Sequence, residues 1–185
     1  MPIRRWLVPA TLALLLTATT AQACMMASER ELSDIALADA VVIARLTDYE
    51  IVRDEAFRRA QLANPNLSDD LREIYSDPGQ GLLSDYARFT LEVQDVLKGE
   101  PPARFAVTWD NSTFAEPETM APGLYLVAVR DPAAPLPPLR GPSATILPNP
   151  EPATMTLLQA PCAPPFLFPL ESAPLDEVRA LLRGG

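Results

Sequence analysis

Histidine is absent from this 185-residue chain, lysine occurs once, as Lys98, and cysteine twice, as Cys24 and Cys162. Without imidazole there is no Ser-His-Asp or Cys-His nucleophile pair, no imidazole general base and no His-ligated zinc or haem site. Lys98 follows a strand-like run in a turn, where a solvated charge is the ordinary role, and no serine spacing points to it. Basic groups are scarce too: 15 Lys and Arg stand against 24 Asp and Glu, for a formal net charge of −9. Nucleic-acid affinity comes largely from Lys and Arg neutralising phosphates, so no nucleic-acid partner is expected. Arg58, Arg59, Arg88 and Arg104 are the candidates for a local basic patch, although arginines alternating on a strand exterior are usually only solvated. The carboxylates Glu116 and Glu118 lie in a polar loop without the apolar setting that raises the pKa of a general acid. The expectation is a protein that is not an enzyme, with no catalytic residue, no metal and no cofactor.

What is present begins with an address. Arg4 and Arg5, the apolar run Trp6 to Leu16 and the small-x-small sequence Ala21-Gln22-Ala23 read as a signal peptide over residues 1–23. Export follows, to a periplasmic or extracellular location, and loss of two arginines makes the remaining chain more acidic still. No later apolar stretch is long enough for a membrane span of about 20 residues, so the mature chain should carry no transmembrane segment. Cleavage there makes Cys24 the first residue. A lipid anchor on Cys24 is the alternative, but Ala21 and Gln22 fit a lipoprotein signal poorly. In an oxidising compartment the two cysteines are expected to pair, Cys24 with Cys162, a staple worth about 5 kcal/mol in the chain-entropy model. A soft-metal site on Cys24, Met25, Met26 and Cys162 is the competing chemistry, since thiolates and thioethers select copper(I); methionine pairs more often serve packing.

Along the chain, Ser28-Glu29-Arg30-Glu31 has capping-box spacing and opens a short helix with Leu32, Ile35 and Leu37 on one face, ended by Asp39. Ala40 to Leu46 is a β-branched run that predicts a buried strand continuing toward Val52. From 53 to 83 the pattern turns helical. Ala56, Phe57, Ala60 and Leu62 share a face, and Ser68 caps a second helix carrying Leu71, Ile74 and Tyr75. The cluster Asp69, Asp70 and Glu73 suits a helix start better than a calcium loop. Tyr86 to Leu97 alternates, with Ala87, Phe89, Leu91 and Val93 pointing one way. Lys98 to Pro102 turns the chain, Phe105, Val107 and Trp109 alternate again, and Leu124 to Val129 is a further strand. Twelve of the 21 prolines fall between Pro132 and Pro169, which rules out long helices there and leaves short edge pieces such as 144–147 and 154–158. A final helix from about Pro174 to Leu182 buries Leu175, Val178, Leu181 and Leu182. Two-period segments joined by turns predict a small antiparallel barrel or sandwich.

The order of these pieces resembles the netrin-like family that includes the tissue inhibitors of metalloproteinases, and more closely its bacterial secreted members. The residues that carry the resemblance are Cys24, Ala38 to Leu46, Phe89 to Gly99, Gly123 to Ala128, and Cys162 followed by a short terminal helix. The family often has a Cys-Gly pair in the loop before its Tyr-Leu-Val strand; here that loop reads Asn111-Ser112-Thr113-Phe114. The resemblance implies a fold that is mainly β with flanking helices: an OB-like five-stranded antiparallel barrel in one domain over 24–185. It would have a helical insertion at about 53–83, a proline-rich wrap at about 131–170 and a short C-terminal helix. It also implies a non-catalytic, monomeric module that binds another protein. In the family's inhibitors an N-terminal cysteine chelates the protease zinc through its amine and carbonyl. The alternative function is therefore metalloprotease inhibition, with Cys24, Met25 and Met26 as the contact residues.

Overall fold

The structure is a computed structural model that describes residues 29–82, 84–110, 116–135, 137–139, 151–160 and 162–184. The signal segment 1–23, Cys24, Met25, Met26, Ser28, the loop 111–115 and the short strand expected at 144–147 lie outside the described residues.

Five strands close a barrel. They are β1 (Ala40–Val52), β2 (Tyr86–Lys98), β3 (Arg104–Asp110), β4 (Leu124–Arg130) and β5 (Met155–Leu157). The order is β1-β2-β3-β5-β4, and β4 pairs back onto β1 to complete the ring. This is the OB-like barrel expected, mainly β with helices around it. One detail differs: β3 and β5 run parallel, pairing Val107 with Met155 and Thr108 with Thr156, so the barrel is mixed. The parallel step follows from strand direction: β1 and β3 are both antiparallel to β2, β4 is antiparallel to β1 and β5 to β4, so β5 runs the same way as β3.

A sixth strand, β6 (Leu167–Pro169), continues along the same edge of β4 that β5 occupies. The amide of Ala128 donates to the Phe166 carbonyl at 2.9 Å, and the amide of Leu158 donates to the Ala128 carbonyl at 2.9 Å. The described parts of the proline-rich stretch thus lie along β4 and satisfy backbone groups that an open edge would present.

β1 reaches both neighbours because it bends. Its pairing with β2 slips between Val41 and Val42, between Ile43 and Ala44, and between Thr47 and Glu50. Asp48 sits at φ 54°, a conformation Asp tolerates better than most residues. Such bulges add local twist and let one strand coil around a small barrel.

The unbroken apolar runs of β1 and β4 have a simple cause. Ala40, Val42, Ala44 and Leu46 point into the barrel with Tyr125, Val127 and Val129, where they meet Ala87, Phe89, Leu91, Val107 and Trp109. The alternate residues Val41, Ile43, Leu126 and Ala128 point outward into a second core with Ile35, Leu158, Phe166 and Val178. Both faces of these strands are covered, so neither needs polar residues. β2 alternates instead over Ala87 to Leu91, as its sequence predicted, while in β3 Val107 and Trp109 face the inner core and Thr108 between them is buried as well.

The outer layer comes from two short helical pieces. The short helix expected before β1 spans Leu32–Leu37 and is a 3₁₀ helix. Glu31 supplies no cap; its carboxylate accepts from the Ser33 hydroxyl at 3.0 Å instead. Lys98, expected to be merely solvated, donates to the Ala36 carbonyl at 2.6 Å and satisfies the end of that turn. The last helix, α3 (Leu175–Gly184), buries Val178 and packs Leu175, Leu181 and Leu182 onto the same core. Pro174 stands just before its first turn, where its carbonyl accepts from the Val178 amide at 3.0 Å.

Between β1 and β2 the chain leaves the barrel as two helices, α1 (Glu55–Leu62) and α2 (Asp69–Ser76). Asp54 caps the first through the Phe57 amide at 2.9 Å, and Ser68 caps the second through the Leu71 amide at 3.4 Å.

Candidate functional site

Cys162 is the described member of the expected cysteine pair. It is buried, sits at φ 60°, and no cysteine among the described residues is free. Cys24, Met25 and Met26 lie outside the described residues, so the contact surface expected of them has no described geometry. Cys162 lines a cavity of about 470 Å³ together with residues far apart in sequence: Arg30, Trp109, Met120, Tyr125 and Leu167. A volume of this size falls among small-molecule pockets, which span roughly 300–1,000 Å³.

Two tyrosine hydroxyls hold one wall in place, Tyr125 as part of the lining and Tyr49 from behind it. The Tyr49 hydroxyl donates to the Pro117 carbonyl at 2.5 Å, and the Tyr125 hydroxyl donates to the Ala121 carbonyl at 2.7 Å. Pro117, Met120 and Ala121 are thereby held beside the end of the barrel. Burial pushes the Tyr49 phenol well above its usual range, with the nearby charges of Glu116 and Glu118 adding to the effect. Tyr125 is raised in the same direction, by burial and then by Glu171. Both groups therefore remain neutral donors at physiological pH.

The segment that carries Cys162 builds the opposite wall. Gln159 Nε2 donates to the Ala163 carbonyl at 2.8 Å, and the Phe166 amide donates to the Leu158 carbonyl at 2.9 Å, which fixes Ala163, Pro164 and Pro165 at the cavity. Trp109 forms part of the lining from the end of β3. It is 4 % exposed, and its Nε1–H is buried with no hydrogen-bond partner. Arg30 enters from the segment before the 3₁₀ helix. Its guanidinium carbon lies 4.0 Å from the centre of the Phe168 ring, and its buried Nε has no hydrogen-bond partner either. Loss of hydration lowers the Arg30 pKa from its ordinary value.

A second constellation holds the helices to the barrel. Asp85 is 1 % exposed and Arg58 is 3 % exposed. Asp85 Oδ1 accepts from the Asp54 amide at 2.8 Å, while Oδ2 accepts from the Leu82 amide at 2.8 Å, Arg53 Nη1 at 3.1 Å and Arg58 Nη2 at 3.2 Å. Arg58 also donates to the carbonyls of Asp77 and Gln80. Burial alone drives the Asp85 carboxyl upward, but the two amides, the Arg53 hydrogen bond and the Arg58 charge outweigh it and leave its pKa below the usual value. These are structural contacts: they join Arg53 and Asp54, α1, the turn after α2 and the start of β2.

That network corrects the helical face expected from Ala56, Phe57, Ala60 and Leu62. The buried residue of α1 is Arg58, α2 has none, and Phe57, Leu71 and Ile74 are 38, 43 and 41 % exposed. Phe57 and Tyr75 meet edge to face, with ring centres 6.0 Å apart. The arginines considered as a basic patch are dispersed. Arg58 is in the network, Arg88 lies 3.3 Å from Glu151, and Arg104 lies 3.1 Å from Asp48, while Arg59 is exposed on α1. Glu118 pairs with Arg53 at 3.6 Å across an exposed gap.

Neither the Asp85–Arg58 pair nor the cavity was named from sequence. The pair leaves no periodic signal, because one charged residue in a polar helix looks solvated. The cavity is assembled from four separated segments. Among the described residues, no helix is long and apolar enough to cross a membrane. No family model matches the chain, and no curated protein matches it.

Proposed function

We propose that this protein is an exported, non-catalytic binding module of the netrin-like, OB-barrel type, stapled by a Cys24–Cys162 disulfide, whose partner is another protein. The observation that carries the proposal is the outward apolar surface of α1 and α2. These helices turn an arginine inward and leave Phe57, Leu71 and Ile74 in water. Large apolar side chains left exposed on a helix pair are a feature of protein interaction sites, where such residues fill a groove in the partner. The excursion has its own polar anchor through Asp85, so the patch is not needed to hold the helices in place. Export rests on the N-terminal pattern, and the staple on Cys162 being buried and not free. The strand order β1-β2-β3-β5-β4 with a terminal helix is in keeping with the netrin-like type.

A photoreactive benzoylphenylalanine at position 74 tests the surface in cells that make the protein naturally. The expected result is one discrete protein adduct, absent when the same group replaces Arg45, an exposed residue on β1. Adding Phe57→Ser and Leu71→Ser abolishes the adduct while the thermal midpoint stays unchanged. No adduct from position 74, or equal adducts from 74 and 45, overturns the proposal.

A further inference from the structure

We infer that the cavity beside Cys162 is a binding site for a small carboxylate with an apolar body, separate from the helical surface proposed for a protein partner. None of Phe57, Leu71 or Ile74 lines it. Its walls are apolar: prolines, Met120, Leu167, and the rings of Tyr125 and Trp109. Its polar character is one-sided. The Trp109 Nε1–H is a donor with no acceptor, and the Arg30 Nε–H is a second donor with none. Indole and guanidinium offer no lone pair, so both groups ask for an acceptor. Tyr125 does not supply one: its hydroxyl donates to the Ala121 carbonyl, and its oxygen accepts from neither of these N–H groups.

Charge narrows the ligand further. Among the described residues no Asp or Glu lines the cavity and no carboxylate pairs with Arg30. The guanidinium carbon instead lies over Phe168, 4.0 Å from the ring centre, with the centre of Phe166 at 5.8 Å. A ring face attracts the cation but offers no oxygen to accept its N–H groups. A half-buried cation and a buried neutral donor lining one cavity suit an anion with two oxygens, and the apolar walls suit a hydrocarbon or ring attached to it. A neutral alcohol would satisfy one donor and leave the cation uncompensated. An ammonium would meet repulsion.

The test uses the exported, processed chain labelled with ¹⁵N; Trp6 leaves with the proposed signal segment, so the indole N–H signal is that of Trp109. Octanoate, 1-octanol and octylammonium are titrated below their aggregation limits. The expected result is a saturable downfield shift of the Trp109 signal with octanoate, and binding at least about tenfold tighter than that of octanol, as a charge-assisted hydrogen bond implies. Octylammonium should not move the signal. Arg30→Met keeps an apolar stem over Phe168 and should reduce octanoate binding to the octanol level. Trp109→Phe, followed by calorimetry, should also weaken octanoate. Absence of a saturable Trp109 shift with octanoate overturns the inference, as does octanol binding as tightly or unchanged octanoate affinity in Arg30→Met.

Discussion

Replacing Asp85 with alanine removes a carboxylate that accepts four hydrogen bonds in a buried setting. Arg58 is then left 3 % exposed with no counter-ion, and breaking such a pair typically costs about 3–5 kcal/mol. The Arg53 contact adds little, since that side chain is a quarter exposed and a solvated pair is worth about 0–1 kcal/mol. The amides of Asp54 and Leu82 also lose their acceptor, but the chain has a way to relieve all of these groups at once. α1 and α2 bury no apolar side chain, so letting the excursion detach returns Arg58 and both amides to water while the barrel stays closed. The loss should therefore appear as local opening. Hydrogen exchange read by mass spectrometry should show peptides from 55 to 82 exchanging on the order of a hundredfold faster, while peptides from β1 and β2 keep their protection. The same excursion should open in acid. A carboxyl whose native pKa is depressed stabilises the fold fully above its unfolded value, near 4, and that stability is lost as the pH falls through the lower native value. Equal acceleration in β1 and β2 would show that Asp85 supports the barrel itself. No change within 55–82 would show that the network carries nothing. Either result refutes the reasoning.

Two other substitutions probe the barrel. Gly99 lies at φ 78° in the turn after β2, and a Cβ there would overlap the Asp39 carbonyl oxygen. Gly99→Ala should lower stability by more than the about 1–2 kcal/mol of left-handed strain alone, measured by urea denaturation with an unchanged m-value; a loss under about 0.5 kcal/mol would contradict the close approach. Phe89 is 1 % exposed, central to the inner core and stacked on Tyr49 at 6.1 Å. Phe89→Ala should cost about 3–5 kcal/mol in the same assay, and a cost below about 1 kcal/mol would mean that the inner core is not packed as described.

Strand identity was legible wherever one physical rule dominated. In β2, Ala87, Phe89 and Leu91 face inward and Arg88 outward, a two-residue period that sequence shows directly. β1 and β4 were legible as buried strands from their branched, unbroken apolar runs, but their two-sided covering by α3 and the 3₁₀ helix required the packed structure. Sequence misled at α1. Four apolar residues at near-helical spacing outline one helical face, yet the position that goes inside is Arg58, because Asp85 and the carbonyls of Asp77 and Gln80 accept from it there. Such a choice depends on partners 19 to 27 residues away and cannot be read from a local period. The cavity was illegible for the same reason, since Arg30, Trp109 and Leu167 share no local pattern.

The shared edge of β4 also bears on when this protein can fold. β4 pairs with β1 through Ala40 and Val129, but its other edge is complete only after Leu157 and then Leu167 arrive. Every ring-closing contact spans a long sequence distance, a topology that slows folding. A nascent chain that stops short of residue 155 has a four-strand sheet with β3 and β4 ungated, free to pair with any strand that passes. Folding is therefore held back until nearly the whole sequence exists. Under the export proposed above, that delay keeps the chain extended until it has crossed the membrane.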